Sequence, residues 1–269
     1  MERDIAADVE VHESQAWAAC IDATSVVAGN PLGATVDRSG PVPLPVITAV
    51  NYGLFNRVIG LGVVAPVDAA EVSRIREWYA DRKQTDYVLE VAPGARPDDV
   101  GGILAAQGLV ASATRQAKVW RTPAEVAVPE GVVVRELTTD DREAFAAVNV
   151  AAWGVPPMMG TWFGATLGAD GFRHFGVLAD GEVVSVGAMY VTGDLAWLGF
   201  GATVPSHRGQ GMQTATFARR ITAAREMGCA VVHTETTSSP TNPSLRNMLK
   251  LGFEHAYDKE FFGPSAAEG

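Results

Sequence analysis

The chain has 269 residues, of which 47% are hydrophobic and 19% charged, a balance typical of a globular protein with a substantial core. The length accommodates one large domain or two of ordinary size. A formal net charge of −10 at pH 7 argues against a dedicated nucleic-acid surface, which normally carries a basic patch. The same charge mildly favours cationic or amine-bearing partners, although acidity also serves solubility alone.

Cysteine usage and the N-terminus indicate the compartment. The two cysteines, Cys20 and Cys229, lack the paired spacing of a disulfide scaffold or a zinc site, so we expect no metal and a reduced, cytoplasmic setting. The first residues lack the basic and apolar segments of a signal peptide. No apolar run reaches the length of a membrane span. We therefore expect neither nucleic acid nor a membrane as a partner.

Periodicity and turn residues predict alternating helices and strands in the first 120 residues. The predicted elements are a helix at 8–28, a Gly/Pro-rich passage at 29–45, an apolar run at 46–50, a strand at 56–66, a helix at 67–83 with Asp68 as N-cap, a strand at 87–91, a helix at 98–107 and a strand at 110–120.

A segment with two prolines and little periodicity, residues 121–131, predicts a linker. Beyond it, the Asp180-Gly181 pair predicts a hairpin with a type I′ turn. The other predicted elements are a strand at 132–137, helices at 139–153 and 156–167, hairpin strands at 172–179 and 182–192, strands at 195–204 and 230–236, and helices that end near Gly228 and Leu251.

A glycine-rich turn at 206–211, Ser-His-Arg-Gly-Gln-Gly, stands between a predicted strand and a predicted helix. Gly209 and Gly211 let the backbone turn several N–H groups toward one point. The first N–H groups of a helix are unpaired and its dipole is positive there, which suits a phosphate or pyrophosphate. Arg208 adds a charged donor. A glycine turn with a purely structural role is the alternative reading.

The two halves of the chain resemble each other in order and pattern. Residues 59–66 match residues 198–205 in their apolar and glycine pattern, and a helix, a strand and a second helix follow in both halves. Where the second half has the glycine turn, the first has Val-Asp-Ala-Ala-Glu-Val at 67–72, without glycine and with two carboxylates. We therefore expect two domains of similar topology, at 1–125 and 131–269, and a pyrophosphate site in the second alone.

With these motifs, residues 131–263 resemble the GCN5-related N-acetyltransferase (GNAT) superfamily. The resemblance rests on the strand that ends at 202–205, the Arg-Gly-Gln-Gly loop at 208–211 and the helix at 244–253 that ends in Lys-Leu-Gly-Phe. It implies a tandem protein of α/β (α+β) class, each half a mixed, largely antiparallel sheet flanked by helices. The first half would be a degenerate copy that lacks the CoA loop, buries surface and helps to shape the acceptor cleft.

The resemblance implies acetyl-CoA, or another acyl-CoA, as the acyl donor. The family splays its fourth and fifth strands, here 195–204 and 230–236, to admit the thioester. Backbone groups of Ala202 and Val204 would hold the pantetheine arm, and residues 208–213 would hold the pyrophosphate. The implied cofactor-binding set is Ala202, Thr203, Val204, Arg208, Gly209, Gln210, Gly211, Met212, Gln213, Asn242 and Ser244.

Two positions depart from the family pattern. Gln213 stands where the family usually has glycine or alanine, which is tolerable if its side chain points away from the ligand. Met248 stands where many members have a tyrosine that protonates the leaving thiolate, and methionine cannot transfer a proton. Tyr257, a little further along, is a candidate replacement, with a packing role as the alternative.

A base is needed to take a proton from an amine acceptor. Strand alternation over 231–236 places His233 and Glu235 on one face, and Glu235 is the better candidate base, directly or through water. A structural ion pair at Glu235 and a buried structural His233 are the alternatives.

The sequence therefore predicts an N-acetyltransferase that moves an acyl group from acyl-CoA to the amine of a small molecule or peptide, as a monomer or homodimer. The alternatives are an acyl-CoA-binding sensor or scaffold without catalysis, favoured by Met248, and a different acyl-CoA reaction on the same fold. The acceptor pockets of the family are built from variable helices and loops, so the acceptor is not predicted.

Overall fold

The computed structural model describes residues 3–265, which form seven α-helices and eleven β-strands in two compact units. The first unit comprises the described residues up to Lys118, Glu235–Asn242 and those from Ala256 onward. The second comprises Val119–Thr234 and Pro243–His255. The domain boundaries expected from sequence, 1–125 and 131–269, stay a prediction. Two segments of the C-terminal half, Glu235–Asn242 and the described residues from Ala256, belong to the first compact unit. In the second of these segments, residues 260–262 pair with residues 89–91.

The first unit is built on a mixed sheet in the order β3-β4-β11-β5, in which β3 is parallel to β4 and β11 is antiparallel to it. A separate antiparallel pair joins β1 and β2. The elements are α1 (Ile5–Ser25), β1 (Ala34–Asp37), β2 (Leu44–Ile47), β3 (Arg57–Val58), α2 (Ala69–Asp81), β4 (Val88–Val91), α3 (Val100–Ala106), most of β5 (Leu109–Arg121), the end of β10 (Val231–Thr237) and most of β11 (Glu254–Pro264).

The apolar core of the first unit lies between the sheet and two of its helices. Ile75 and Tyr79 of α2 and Leu104 of α3 are fully buried in one cluster with Leu89 of β4 and Phe262 of β11. Each such side chain stabilises the fold by roughly 1.5–3 kcal/mol relative to exposure. The helical spacing of the apolar residues in α2 thus determines which face of the helix packs on the sheet.

The strand predicted at 56–66 is wrong beyond its first residues, because strand β3 ends at Val58. Gly60 and Gly62 adopt φ values of +83° and +80°, in the left-handed region, and turn the chain out of an extended course. Residues 59–62 are buried but Val64 is 56% exposed, so the apolar pattern shared with 198–205 corresponds to an extended strand only in the second half.

A cluster of charged side chains is buried in the first unit around Glu13 of α1. The Glu13 carboxylate accepts hydrogen bonds from Lys118, from Lys259 Nζ at 2.8 Å and from Arg57 Nη2 at 3.1 Å. Glu90 accepts from Arg57 Nε at 2.5 Å. Burial by itself would raise the pKa of Glu13, but the three cations hold it well below its ordinary value. The Glu13 carboxylate is thus held ionised by three cations.

The second unit carries a five-stranded sheet in the order β10-β9-β8-β7-β6. Its pairs are antiparallel except β9 and β10, which are parallel. Its elements are β6 (Val134–Leu137), α4 (Arg142–Trp153), α5 (Gly160–Ala165), β7 (Phe172–Ala179), β8 (Glu182–Thr192), β9 (Leu195–Thr203), α6 (Met212–Glu226), the first part of β10 and α7 (Pro243–Lys250).

The hairpin predicted around Asp180-Gly181 is confirmed. Asp180 and Gly181 have φ values of 51° and 85° and connect β7 to β8, as a type I′ turn requires. Within residues 3–265, none of the helices combines the length and apolar character needed to cross a membrane.

Replacing Glu13 with alanine tests the charge cluster. The change leaves Lys118, Lys259 and Arg57 buried without their shared carboxylate, so we expect a loss of about 3–5 kcal/mol in the free energy of unfolding by urea denaturation. The control is Asp22→Ala, which breaks a surface ion pair with Arg38 whose two side chains are 52% and 51% exposed. We expect at most about 1 kcal/mol there. Equal losses would contradict the account.

Candidate active site

The glycine loop leads directly from β9 into α6. After a short 3₁₀ turn at Pro205–His207, Gly209 and Gly211 adopt φ values of +75° and +79°. A Cβ atom at Gly209 would meet no atom within 4 Å, so the loop requires glycine there for its left-handed backbone and not for space. The backbone conformation predicted from the two glycines is therefore present.

Across residues 3–265, no side chain caps the start of α6. Its N-cap is Gly211, and no side-chain hydrogen bond reaches the first turn from that position. In α2 of the first unit, by contrast, Asp68 Oδ1 accepts from the N–H of Glu71 at 2.9 Å. A carboxylate thus already occupies the positive end of α2, whereas the N–H groups at the start of α6 are available to an anion.

A cleft of about 770 Å³ in the second unit opens at this helix start. Among the residues predicted to bind the cofactor, those that line the cleft are Ala202, Thr203, Arg208, Gly209, Gly211, Met212, Gln213 and Ser244. Seven lining residues are absent from the predicted set: Ala152, Trp153, Gly201, His207, Thr214, Pro243 and Asn247. Trp153 and Asn247 belong to helices far from the loop in sequence, and the folded chain brings both to the cleft.

Three predicted residues do not line the cleft, and their polar groups have other partners. The backbone N–H of Val204 donates to the carbonyl of Val184 at 3.0 Å, and so is not available to a pantetheine arm. Gln210 Nε2 donates to a backbone carbonyl of the same loop at 3.3 Å. Asn242 Nδ2 donates to Thr236 Oγ1 at 2.9 Å, at the end of β10.

Arg208 joins two segments of the cleft wall. Its Nε donates to the carbonyl of Thr203 at 3.2 Å, and its Nη2 donates to the carbonyl of Ala152 at 3.2 Å. These bonds connect the end of β9 to α4 and leave further guanidinium hydrogens for a ligand. Arg208 therefore positions the wall of the cleft as well as supplying positive charge to it.

Gln213 points toward α7. Its Nε2 donates to Ser244 Oγ at 3.1 Å, and its Oε1 accepts from Asn247 Nδ2 at 2.8 Å. Gln213, which stands where the family usually has a small residue, thus has a structural role, because its amide connects the first turn of α6 to α7. All three residues line the cleft.

The parallel strands β9 and β10 pair over three residues and then stop. The paired positions are Val231 with Leu195, Val232 with Ala196 and His233 with Trp197. At the next position a side chain replaces the backbone ladder, since Thr234 Oγ1 donates to the carbonyl of Leu198 at 2.6 Å. The splay predicted between these strands is consistent with this early end of the pairing.

A β-bulge in β9 lies beside the splay. The register between β8 and β9 shifts between Val186 and Ala188, and Phe200 adopts φ +52°. Aromatic rings hold Phe200 in this strained conformation, with Trp162 at 4.9 Å and Trp197 at 5.7 Å between ring centroids.

A fully buried arginine supports the bulge from α6. Arg220 Nη1 donates to the carbonyls of Ala188 at 2.9 Å and Gly199 at 3.1 Å, one from each strand. Burial lowers the pKa of Arg220 to about 9. A Cβ atom on Gly187 would lie 2.5 Å from the guanidinium carbon, so glycine at that position makes room for the cation.

The two predicted catalytic residues, Glu235 and Tyr257, belong to the charge cluster of the first unit and are not among the residues that line the 770 Å³ cleft. Glu235 Oε2 lies 3.7 Å from Lys118 Nζ. Burial, and then the charge of Glu13, raise the pKa of Glu235 to about 7, against the lowering effect of Lys118. A carboxyl with this pKa suits a general base near neutral pH.

Tyr257 donates its hydroxyl to Glu10 Oε1 at 2.8 Å. Burial, and then Glu10, raise the pKa of Tyr257 above its ordinary value. This geometry favours a structural role over proton donation to a thiolate. Met248 is buried in α7, at 4% exposure, and supplies no proton either. His233 is fully buried in β10.

The described residues contain no group of three or more His, Cys, Asp or Glu side chains arranged to hold a metal ion. The site consists instead of an uncapped helix start, a glycine loop and a splayed strand pair, which together define an α/β domain suited to an anionic nucleotide-like ligand.

Residues 135–253 match the family model described as the acetyltransferase (GNAT) family. The match covers less than half of the chain and identifies a GNAT domain in that part. Acyl-CoA-dependent transfer to an amine is the general reaction of the family's members. No curated protein matches the sequence significantly.

Solved structures share the fold at low identity. A GCN5-related N-acetyltransferase from Kribbella flavida is 18% identical with a TM-score of 0.69, and the match covers 99% of this chain and 98% of that chain. A tandem GNAT protein from the clavulanic acid biosynthesis pathway, solved without AcCoA, is 20% identical with a TM-score of 0.61 and 97% and 98% coverage. An acetyltransferase from the GNAT family of Colwellia psychrerythraea is 16% identical, with a TM-score of 0.53 and 75% coverage of both chains. At these identities the likeness shows the fold.

Replacing Gln213 with leucine tests the connection between α6 and α7. The change removes the bonds to Ser244 and Asn247, and we expect a loss of about 1–3 kcal/mol in the free energy of unfolding, measured with urea. The control is Gln210→Leu, in the loop that precedes α6, which removes one exposed hydrogen bond and should cost less than about 0.5 kcal/mol. A loss at Gln213 no larger than at Gln210 would refute the connecting role.

Proposed function

We propose that the second unit binds acetyl-CoA, or another acyl-CoA, and transfers the acyl group to the amine of a small molecule or peptide. The observation that carries the proposal is the uncapped start of α6, which opens into a 770 Å³ cleft behind two glycines in left-handed conformations. We further propose a cytoplasmic enzyme, monomeric or homodimeric, whose N-terminal half is a degenerate copy of the GNAT fold.

The residues of the loop fit the pyrophosphate of CoA. The N–H groups at the start of α6 supply donors at the positive end of a helix of 15 residues, and Arg208 supplies a guanidinium at the same cleft. Gly201, Ala202 and Thr203 line the adjoining wall of the cleft, along β9. A pantetheine arm would follow this wall, through groups other than the engaged N–H of Val204.

Acyl transfer requires an amine nitrogen to attack the thioester carbonyl carbon. The C–N bond forms as the C–S bond breaks, the thiolate leaves, and a base takes the proton from the ammonium. We propose Glu235 as that base. It follows Thr234 in the chain, at the point where β10 stops pairing with β9, and its pKa of about 7 suits the role. The hydroxyl of Ser244, which lines the cleft, is the proposed donor to the leaving sulfur.

A second candidate function is an acyl-CoA sensor without catalysis. Two observations favour it. The position at which many family members have a thiolate-protonating tyrosine holds the buried Met248, and the hydroxyl of Tyr257 donates a hydrogen bond to Glu10. Both functions require the same cofactor site. They differ in whether free thiol is released when an amine is added.

Titration of acetyl-CoA by calorimetry tests the cofactor site. The natural protein should bind, and Gly211→Asp should weaken binding about 100-fold, which corresponds to about 2.7 kcal/mol. An aspartate at that position would place a carboxylate at the start of α6, as Asp68 does at α2.

The matched control is Gly228→Asp. Gly228 follows the other end of α6, has φ +78° and meets no atom within 4 Å of an added Cβ. The Gly228→Asp variant should leave the affinity for acetyl-CoA unchanged. Absence of binding by the natural protein would refute the proposed function. Binding without thiol release across a panel of amines would select the sensor.

The pH dependence of turnover tests Glu235. A base must be deprotonated, so kcat/KM should rise as the pH rises through about 7 and level off above it. Glu235→Gln should lower kcat/KM roughly 100-fold or more and remove this rise. Glu226 has an exposed carboxyl that pairs with Arg219. The control Glu226→Gln should retain the kcat/KM of the natural protein and its rise with pH. An unchanged profile in Glu235→Gln would exclude Glu235 as the base.

A further inference from the structure

One face of the sheet in the first unit is polar. Arg57 pairs with Val88 and Phe261 pairs with Glu90 in the strand register, and alternation places Lys259 on the same face as Phe261. Polar groups buried on a sheet cost free energy unless each finds a partner. On this face, Arg57, Glu90 and Lys259 have partners in the charge cluster around Glu13.

The polar face continues into a cavity of about 210 Å³ within the first unit. One liquid water occupies about 30 Å³, so the cavity has room for a ligand of several heavy atoms. Its lining includes Arg57, Thr114, Arg115, Gln116, Thr237 and Phe261. No acidic side chain occurs among its lining residues, although the chain as a whole carries a net charge of −10.

Arg57 is the donor that points to a ligand. Its side chain is 5% exposed, its Nε donates to Glu90, and its Nη2 donates to Glu13 and to Gln116 at 3.1 Å. Within residues 3–265, no hydrogen bond leaves its Nη1, and Arg57 lines the cavity. A ligand in the cavity that accepted the Nη1 hydrogens would form charge-assisted hydrogen bonds with Arg57.

The guanidinium of Arg57 is held rigidly. Its carbon atom lies 4.4 Å from the centre of the Trp17 ring, and the two carboxylates fix its plane. A preorganised donor loses little entropy when it binds, which improves affinity. The contacts that hold Arg57 in place therefore also prepare it for a ligand.

The chemistry of the lining selects a carboxylate. The two hydrogens of Arg57 Nη1 remain for a ligand, and a carboxylate oxygen accepts a charge-assisted hydrogen bond from such a donor. Thr114 and Thr237 add hydroxyls, and Arg115, which pairs with Glu260 at 2.6 Å, adds a second cation at the cavity. Leu54, Val88 and Phe261 offer apolar surface to a short carbon chain. We propose that this cavity binds a small molecule that carries a carboxylate.

The test measures binding of acetate, glutarate and benzoate by backbone amide NMR at constant ionic strength, with acetamide, glutaramide and benzamide as neutral counterparts. At least one carboxylate should bind with a Kd below about 1 mM and shift the amides of Gln116 and Thr237, whereas its amide should bind at least tenfold more weakly. Locating the shifts distinguishes this cavity from the start of α6, so the result does not depend on the proposed acyl transfer.

The variant Thr114→Phe places a large side chain at an exposed position of the cavity lining and leaves the charge cluster intact. It should weaken carboxylate binding at least tenfold. Val110→Phe is the control, because Val110 is 51% exposed on the same face of β5 and does not line the cavity. The proposal is overturned if no carboxylate binds more tightly than its amide, if the shifts fall outside the cavity, or if both variants weaken binding equally.

Discussion

The proposed function depends on the free N–H groups at the start of α6. Gly209 and Gly211 take left-handed conformations that bring the chain into the helix without a capping side chain. Had a side chain satisfied those N–H groups, the positive end of the helix would be neutralised, as Asp68 neutralises α2. The same feature of helix geometry therefore leaves donors for the proposed anion in one half of the chain and gives a capped helix end in the other.

Near this helix start, the sheet of the second unit is irregular at two places. β9 and β10 stop pairing after three residues, and β9 bulges at Phe200. The bulge is costly, because an aromatic residue with positive φ is strained and because, within the described residues 3–265, Arg220 is buried without a carboxylate partner. Aromatic packing on one side and two carbonyl acceptors for Arg220 on the other offset this cost. Such irregularity next to a cleft is typical of a strand reshaped for a ligand.

Local patterns predicted much of this from the sequence, because their physics is local. The glycines of the loop, the Asp68 cap and the Asp180-Gly181 turn act within a few residues of themselves. The strand predicted at 56–66 failed because an apolar run with glycines suits both a strand and a buried turn. Sequence reasoning did not anticipate that Glu235 would share a buried cluster with Lys118, because that cluster forms from segments distant in the chain.

The pairing of Gln213 with Asn247 escaped prediction for the same reason. A residue that departs from a family pattern invites an explanation in terms of the ligand, whereas here the side chain contacts a neighbouring helix. The proposed roles of Glu235 and Ser244 are open to experiment on the same grounds, since each depends on partners that only the folded chain brings together.

The most direct test of the central claim is backbone amide NMR of the protein with acetyl-CoA added. If the N–H groups at the start of α6 bind the pyrophosphate, the amides of Gly209, Gly211, Met212 and Gln213 should shift most strongly, while those at the start of α2 remain unchanged. Shifts confined to other segments, or equal shifts at both helices, would contradict the account.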